Sequence, residues 1–257
     1  MQKEEYDARG FLRESFALSA PDLLPELCRD AAAFDTLMAE AQALGHARVP
    51  YLFTAAIERV AQDTAIRAVI EAVLGTTAWV VWGPNILRET PNAASRWHVD
   101  LESRYWPSVT VAIGLRDCSP RTAIWCLPGT QRLARTPAWA GDASDTDRVL
   151  RCARRRNPHV GRPEQIAAFG DSRCYAFNAR TWHRGDTEPS AERLVLFLHY
   201  QPAAAPRVPL MLDYVRHRWS RTAAAFRAGP GVRPETKIAP IPLRERVLAA
   251  VALLRSR

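Results

Sequence analysis

The chain has 257 residues and a formal net charge of +8, with 47% hydrophobic and 24% charged residues, and a mass of 28.7 kDa. That balance excludes a disordered polymer, and no apolar run reaches the roughly 18 residues a membrane span needs. The polar start Met1-Gln2-Lys3-Glu4-Glu5-Tyr6 lacks the apolar core of a secretion signal, and the five scattered cysteines (Cys28, Cys118, Cys126, Cys152, Cys174) contain no Cys-x-x-Cys, so a cytoplasmic protein without a disulfide framework or cysteine zinc site is expected.

Residues 21–75 read as helical. Pro21-Asp22-Leu23-Leu24-Pro25-Glu26-Leu27 opens a segment whose apolar positions continue through Ala33, Phe34, Leu37, Met38 and Ala41 at helical spacing. A second helix is predicted from Phe53 to Leu74, with Ile57, Val60, Ala61, Ile66, Val69, Ile70 and Val73 on one side and Gly75 as its stop.

From Thr76 the pattern turns to strands: Trp79 to Trp82, Val109 to Ile113, Ala123 to Leu127, Cys174 to Phe177 and Arg193 to Tyr200. These runs are rich in β-branched and aromatic residues and are separated by turn signals such as Pro128-Gly129 and Glu188-Pro189-Ser190. Many short strands after a helical start predict an α+β chain, mainly β, on a sandwich or barrel. Arginine supplies all the positive side chains except Lys3 and Lys237, most densely at Arg151, Arg154, Arg155 and Arg156, where a solvated loop ending at Asn157-Pro158 is expected. Such charge would suit nucleic acid, a phosphorylated substrate or an acidic partner, but an arginine-rich proteome produces the same excess. Beyond Pro202 the tail reads as irregular. Asp213 to Trp219 is a candidate lid, and a helix is expected from Leu243 to Leu254. The organisation expected is one domain: a helical buttress (1–75), a β core (76–202) and a tail (203–257).

The segment that suggests chemistry is Arg96-Trp97-His98-Val99-Asp100. On a strand, His98 and Asp100 point to the same face, offering two of the three ligands of a 2-His-1-carboxylate site for ferrous iron. The candidate third ligand is His183, in Thr181-Trp182-His183. A hairpin centred near Glu188 would set His183 opposite Arg193, whose fork suits a carboxylate. Along that last strand Leu194, Leu196, Leu198 and Tyr200 form an apolar face, which leaves Arg193, Val195, Phe197 and His199 facing a cavity. Arg96 shares the His98 face and is a candidate for contacting the co-substrate or an anionic substrate, or for a structural ion pair. Trp82, Asn85, Glu102 and Arg104 are candidate pocket-lining residues, with core packing the competing reading for the tryptophan.

His98-x-Asp100, the run Ala123 to Thr130 with its Pro128-Gly129-Thr130, and His183 with Arg193 together resemble the phytanoyl-CoA dioxygenase-like family of Fe(II)/2-oxoglutarate oxygenases, over roughly Trp79 to Pro202. The resemblance implies a double-stranded β-helix, a cupin-like jelly roll with supporting helices. It implies iron on His98, Asp100 and His183, and the distal carboxylate of 2-oxoglutarate on Arg193. It also implies O2 as co-substrate, succinate and CO2 as products, and a hydroxylated substrate, with desaturation, epoxidation and ring closure open to the same chemistry. Asp100 argues against a halogenase, in which a small residue stands at this place. This chain has Thr130-Gln131 where the family commonly has Ser-His, and Gly185 where a small hydroxyl residue is frequent.

The expected partner is a small molecule: a specialised metabolite, a sugar derivative or a lipid. Two alternatives stand beside it. A nucleic-acid demethylase of the same chemistry would use the arginine excess, but the sequence has no basic–aromatic recognition element. A non-catalytic β-barrel binding protein would hold the His/Asp set structurally or on zinc.

Overall fold

The computed structural model describes residues 2–43, 53–89, 96–99, 109–133, 145–185, 193–204 and 226–228. Helix formation starts earlier than the sequence suggests. The polar opening forms α1 (Gln2–Arg9), stapled by Lys3–Asp7 one turn apart at 2.9 Å and anchored by buried Tyr6. After the short strand β1 (Phe16–Ala17), a turn over Pro21–Leu23 leads into α2 (Leu24–Ala43). Leu23, Leu27, Ala31 and Phe34 bury one stripe there.

The single helix expected over 53–74 is two: α3 (Ala55–Val60) and α4 (Thr64–Leu74). Asp63 makes the break. One carboxylate oxygen caps α4 by accepting from the Ala65 and Ile66 N–H groups. The other accepts from Ser19 and Ala20 at 2.9 and 3.0 Å. A carboxylate placed so favours a fresh helix start over continuation. Helix α4 buries Ile66, Val69, Ile70 and Val73 and ends at Gly75 in the left-handed conformation, as expected.

The remaining elements are β2 (Trp79–Glu89), β3 (Val109–Arg116), β4 (Trp125–Cys126), α5 (Thr146–Arg156), β5 (Glu164–Gln165), β6 (Arg173–Asn178), β7 (His183–Arg184), β8 (Arg193–Pro202) and β9 (Phe226–Ala228). Two antiparallel sheets result: a large one in the order β1-β6-β3-β8-β2-β9 and a small one in the order β5-β4-β7. The structure thus has the jelly-roll arrangement, mixed with helices, and no closed barrel among the described residues. Helices α2, α3 and α4 pack on the outer face of the large sheet, sharing a core with Val109, Val111, Ile113, Leu194, Leu196, Leu198 and Tyr200. Between the sheets, Ala112, Tyr175, Phe177 and Val195 meet Ala123, Ile124 and Cys126. The apolar alternation expected of β8 therefore holds, one face to the helices and the other inward.

Three further expectations change. The arginine cluster lies on α5, not in a loop. Asp145 caps that helix through the Arg148 N–H, Val149, Cys152 and Ala153 bury its stripe, and Arg154, Arg155 and Arg156 fill the last turn, where positive charge complements the helix dipole. Part of the tail expected to be irregular is strand β9, paired to β2. The hairpin joining His183 to Arg193 does not form: β7 belongs to the small sheet and β8 to the large one. His183 pairs with Cys126 and Arg193 with Glu89, because the chain crosses between sheets there. The candidate lid at 213–219 and the helix at 243–254 lie outside the described residues, among which no helix is long and apolar enough to cross a membrane.

Candidate metal centre

Two Trp-His doublets build the site. Arg96-Trp97-His98 and Thr181-Trp182-His183 meet antiparallel through an isolated bridge between the histidines. The His98 N–H donates to the His183 carbonyl at 2.9 Å, and the His183 N–H to the His98 carbonyl at 3.0 Å. Side chains of such a pair share a face, and the two rings lie 4.3 Å apart with their planes at 52°. The preceding tryptophans fall on the opposite face. There Trp97 and Trp182 pack in one cluster with Leu127, Val160 and the α5 residues Val149, Cys152 and Ala153. Trp97 Nε1 also donates to Thr146 Oγ1 at 3.1 Å, and the Arg184 guanidinium lies 5.6 Å above the Trp97 ring.

The ring nitrogens are sorted by their contacts. His98 Nδ1 lies 2.7 Å from the Arg96 carbonyl oxygen, and His183 Nδ1 lies 2.8 Å from the Thr181 carbonyl oxygen. A carbonyl oxygen only accepts, so both Nδ1 atoms carry the proton. In the neutral ring that leaves the lone pair on Nε2, the form a metal needs.

The His183 segment is fastened from behind. Thr130 Oγ1 donates to the Leu127 carbonyl at 2.6 Å and accepts from the Trp182 N–H at 2.9 Å. Thr181 Oγ1 donates to the Gly10 carbonyl at 2.9 Å. Gly10 has φ +88°, and a Cβ there would collide with the Thr181 hydroxyl and the Gln131 side chain, so only glycine allows this approach. Gln131 Nε2 donates in turn to the Asp7 carbonyl. Thr130-Gln131 therefore tie α1 to the histidine strand.

The donor set fits a transition metal. With a metal–nitrogen bond of about 2.1 Å, two imidazoles at right angles around one ion have centroids about 4.6 Å apart, close to the spacing found. Asp100, the expected carboxylate ligand, lies outside the described residues, as do Glu102 and Arg104. Among the described residues no group of three His, Cys, Asp or Glu forms a metal cluster.

Arg193 begins β8 on its inward face and is fully buried. Burial, reinforced by Asp171 and opposed by the positive charge of Arg193, pushes the neighbouring Cys118 thiol up to about 12. Arg96 is exposed, and its backbone carbonyl is what orients His98. Trp82 is buried and Asn85 half-buried on the inward side of β2, opposite His199 and Phe197 respectively. The structure adds Thr110, which bonds His199 at 3.0 Å, and Gln201, which accepts from Trp82 Nε1 at 3.1 Å. The period-two pattern of β8, continued one step past His199, points to Gln201.

No family profile and no curated protein sequence matches the chain. Solved structures do. EctD from S. alaskensis, with 2-oxoglutarate and 5-hydroxyectoine, superposes with a TM-score of 0.56 at 18% identity, over 80% of this chain and 76% of that one. AviO1 from Streptomyces viridochromogenes Tue57 gives 0.54 at 17% identity, over 80% and 95%. The epimerase SnoN, in complex with Fe3+, alpha-ketoglutarate and nogalamycin RO, gives 0.51 at 16% identity, over 94% and 92%. The chain shares their fold. That fold carries iron and a 2-oxo acid in SnoN, and an EctD structure holds bound Fe.

Proposed function

We propose that the protein is an Fe(II)- and 2-oxoglutarate-dependent oxygenase acting on a small molecule. The observation that carries this reading is the pair of bridged histidines, each with Nδ1 bonded to a carbonyl oxygen, so that the neutral rings carry their lone pairs on Nε2. His98, His183 and Asp100 would hold the ion. Arg193, buried at the start of β8, would take the distal carboxylate of 2-oxoglutarate in a bidentate grip. Bound ferrous iron supplies the redox chemistry that couples oxidative decarboxylation of 2-oxoglutarate by O2, to succinate and CO2, to oxidation of a substrate C–H bond.

The chain's own contribution is arrangement. The Arg96 and Thr181 carbonyls fix the ring tautomers, and the tryptophan cluster fixes the strand positions. All five cysteines are free thiols, which supports a reducing, cytoplasmic setting. Anaerobic addition of Fe(II) and 2-oxoglutarate should produce a visible charge-transfer band, and aerobic incubation should form succinate. Both should disappear in His98→Ala and in Asp100→Ala. Undiminished turnover in either variant removes that residue from the ligand set, and absence of the band in the wild type favours a non-catalytic binding protein.

A further inference from the structure

On the inner face of the large sheet, backbone register sets Trp82, His199, Thr110 and Phe177 in one row across β2, β8, β3 and β6. Phe177 packs edge-on against His183 with centroids 4.8 Å apart, so the row starts at the candidate metal centre. Adjacent strands lie about 4.8 Å apart, which puts His199 about 10 Å along the row from Phe177. A substrate seated by iron spans such a distance. Gln201 lies one position beyond this row on the same face of β8, and Asn85 lies one position before it on β2.

The row is there because β2 is irregular. Residues three apart in a regular strand face opposite ways, yet Trp82 pairs with His199 and Asn85 with Phe197, two positions apart on β8. The register shift adds one residue to β2 between them, with Gly83 at φ +63°. It turns both Trp82 and Asn85 inward. A bulge interrupts the ladder and recurs where a side chain must be re-aimed beside a site.

Two polar atoms here have no hydrogen-bond partner among the described residues: Gln201 Nε2 and Asn85 Oδ1. Gln201 is fully buried. An indole N–H only donates, so the bond from Trp82 Nε1 holds the Gln201 oxygen towards Trp82 and turns its NH2 group away from it. Trp82 stacks on His199 at 4.6 Å with planes at 26°, and the fully buried Thr110 bonds His199 Nδ1. A buried donor left unmatched costs about 1–3 kcal/mol; a ligand that completes it removes that cost.

We propose that Gln201 and Asn85, on either side of the Trp82–His199 stack, form a subsite that recognises an uncharged, hydroxyl-bearing part of the substrate, such as a sugar or polyhydroxylated ring. The chemistry selects this class. Gln201 offers a donor and Asn85 an acceptor, and a hydroxyl group satisfies both kinds. Among the described residues these positions carry no formal carboxylate, ammonium or guanidinium, so a phosphate or carboxylate finds no compensating charge among them. The inference rests on the oxygenase reading only for the reaction that follows binding. The acidic co-substrate and the neutral substrate then occupy opposite ends of β8, one at Arg193 and the other near Gln201.

The test is calorimetric titration of the full chain, anaerobic and loaded with Fe(II) and 2-oxoglutarate, using methyl glycosides and cyclic polyols against matching uronic acids and sugar phosphates. Neutral probes should bind and the charged counterparts should not. Gln201→Glu, which keeps an acceptor for Trp82, and Asn85→Leu should each weaken the best neutral probe about tenfold, the worth of one buried hydrogen bond. Melting curves check that both variants remain folded, and whichever variant folds serves. Preference for the charged probes, unchanged affinity in a folded variant, or no binding by any neutral probe overturns the proposal. If neutral probes bind and respond to these substitutions while the wild type shows no iron–2-oxoglutarate band, the oxygenase reading fails and the subsite stands.

Discussion

The two faces of β8 divide the work of the protein. Outward, Leu194, Leu196, Leu198 and Tyr200 are saturated by helix packing, and the Tyr200 hydroxyl donates to the Ala61 carbonyl at 3.0 Å. Inward, the same strand carries a buried guanidinium, half-buried Phe197 and His199, and a buried amide with an unmatched donor. One face gathers apolar area and leaves no polar group unmet; the other carries an amide donor with no partner among the described residues. Stability and recognition thus lie one residue apart along a single strand, and substitutions should separate them.

The sharpest separation should come from His183→Ala, which is expected to reduce succinate formation to the uncatalysed background while shifting the melting temperature less than any large outward truncation. Leu196→Ala is the mirror experiment. Losing that fully buried side chain should cost about 2–5 kcal/mol in denaturant unfolding, with turnover per folded molecule unchanged. A Leu196→Ala protein that is stable but inactive breaks the comparison. Arg193→Lys keeps the charge but loses the planar fork, so the KM for 2-oxoglutarate should rise about ten- to a hundredfold with a smaller change in kcat. Tyr200→Phe removes one buried hydrogen bond and should cost about 1 kcal/mol, again without touching turnover.

A pH dependence tests the same comparison. An ordinary thiol titrates near 9, whereas Cys118 is held up to about 12, chiefly by burial. Burial likewise raises Cys174 and Tyr200 well above their usual values. Above pH 9 the unfolded chain releases protons that the folded chain retains, so stability is full below that pH and declines as pH climbs towards 12. Melting temperatures measured across this range should fall, and Cys118 should resist iodoacetamide at pH 8 in the native protein. Rapid labelling of Cys118 at that pH would contradict its raised pKa.

Much of the architecture is legible locally. The strands from Trp79, Val109, Cys174 and Arg193 reveal themselves by alternation, and α4 by its apolar stripe and terminal Gly75, because both signals depend on neighbours within a few residues. His98 and His183 stand out for the same reason, each following a tryptophan at a strand-like position. Pairing is another matter. Nothing between His183 and Arg193 tells the chain to change sheets, since that choice depends on Cys126 and Glu89, far away in sequence. The β2 bulge is set by partner register and escapes any single-strand pattern. On α5 the arginine run obscures a short stripe of Val149, Cys152 and Ala153, and α1 presents only Tyr6 as a buried apolar anchor.

The bridge between the two Trp-His doublets has a consequence for metal loading. A site gathered from separate flexible segments spends much of its binding energy on ordering them. Here reciprocal backbone bonds between His98 and His183 align two imidazoles, and their tryptophan neighbours are seated under one helix. In the proposed enzyme the apo-protein should therefore bind its ion with little structural rearrangement. The captured ion would act as a rivet through two distant stretches of chain, so chelation should lower the unfolding temperature while leaving the secondary structure in place.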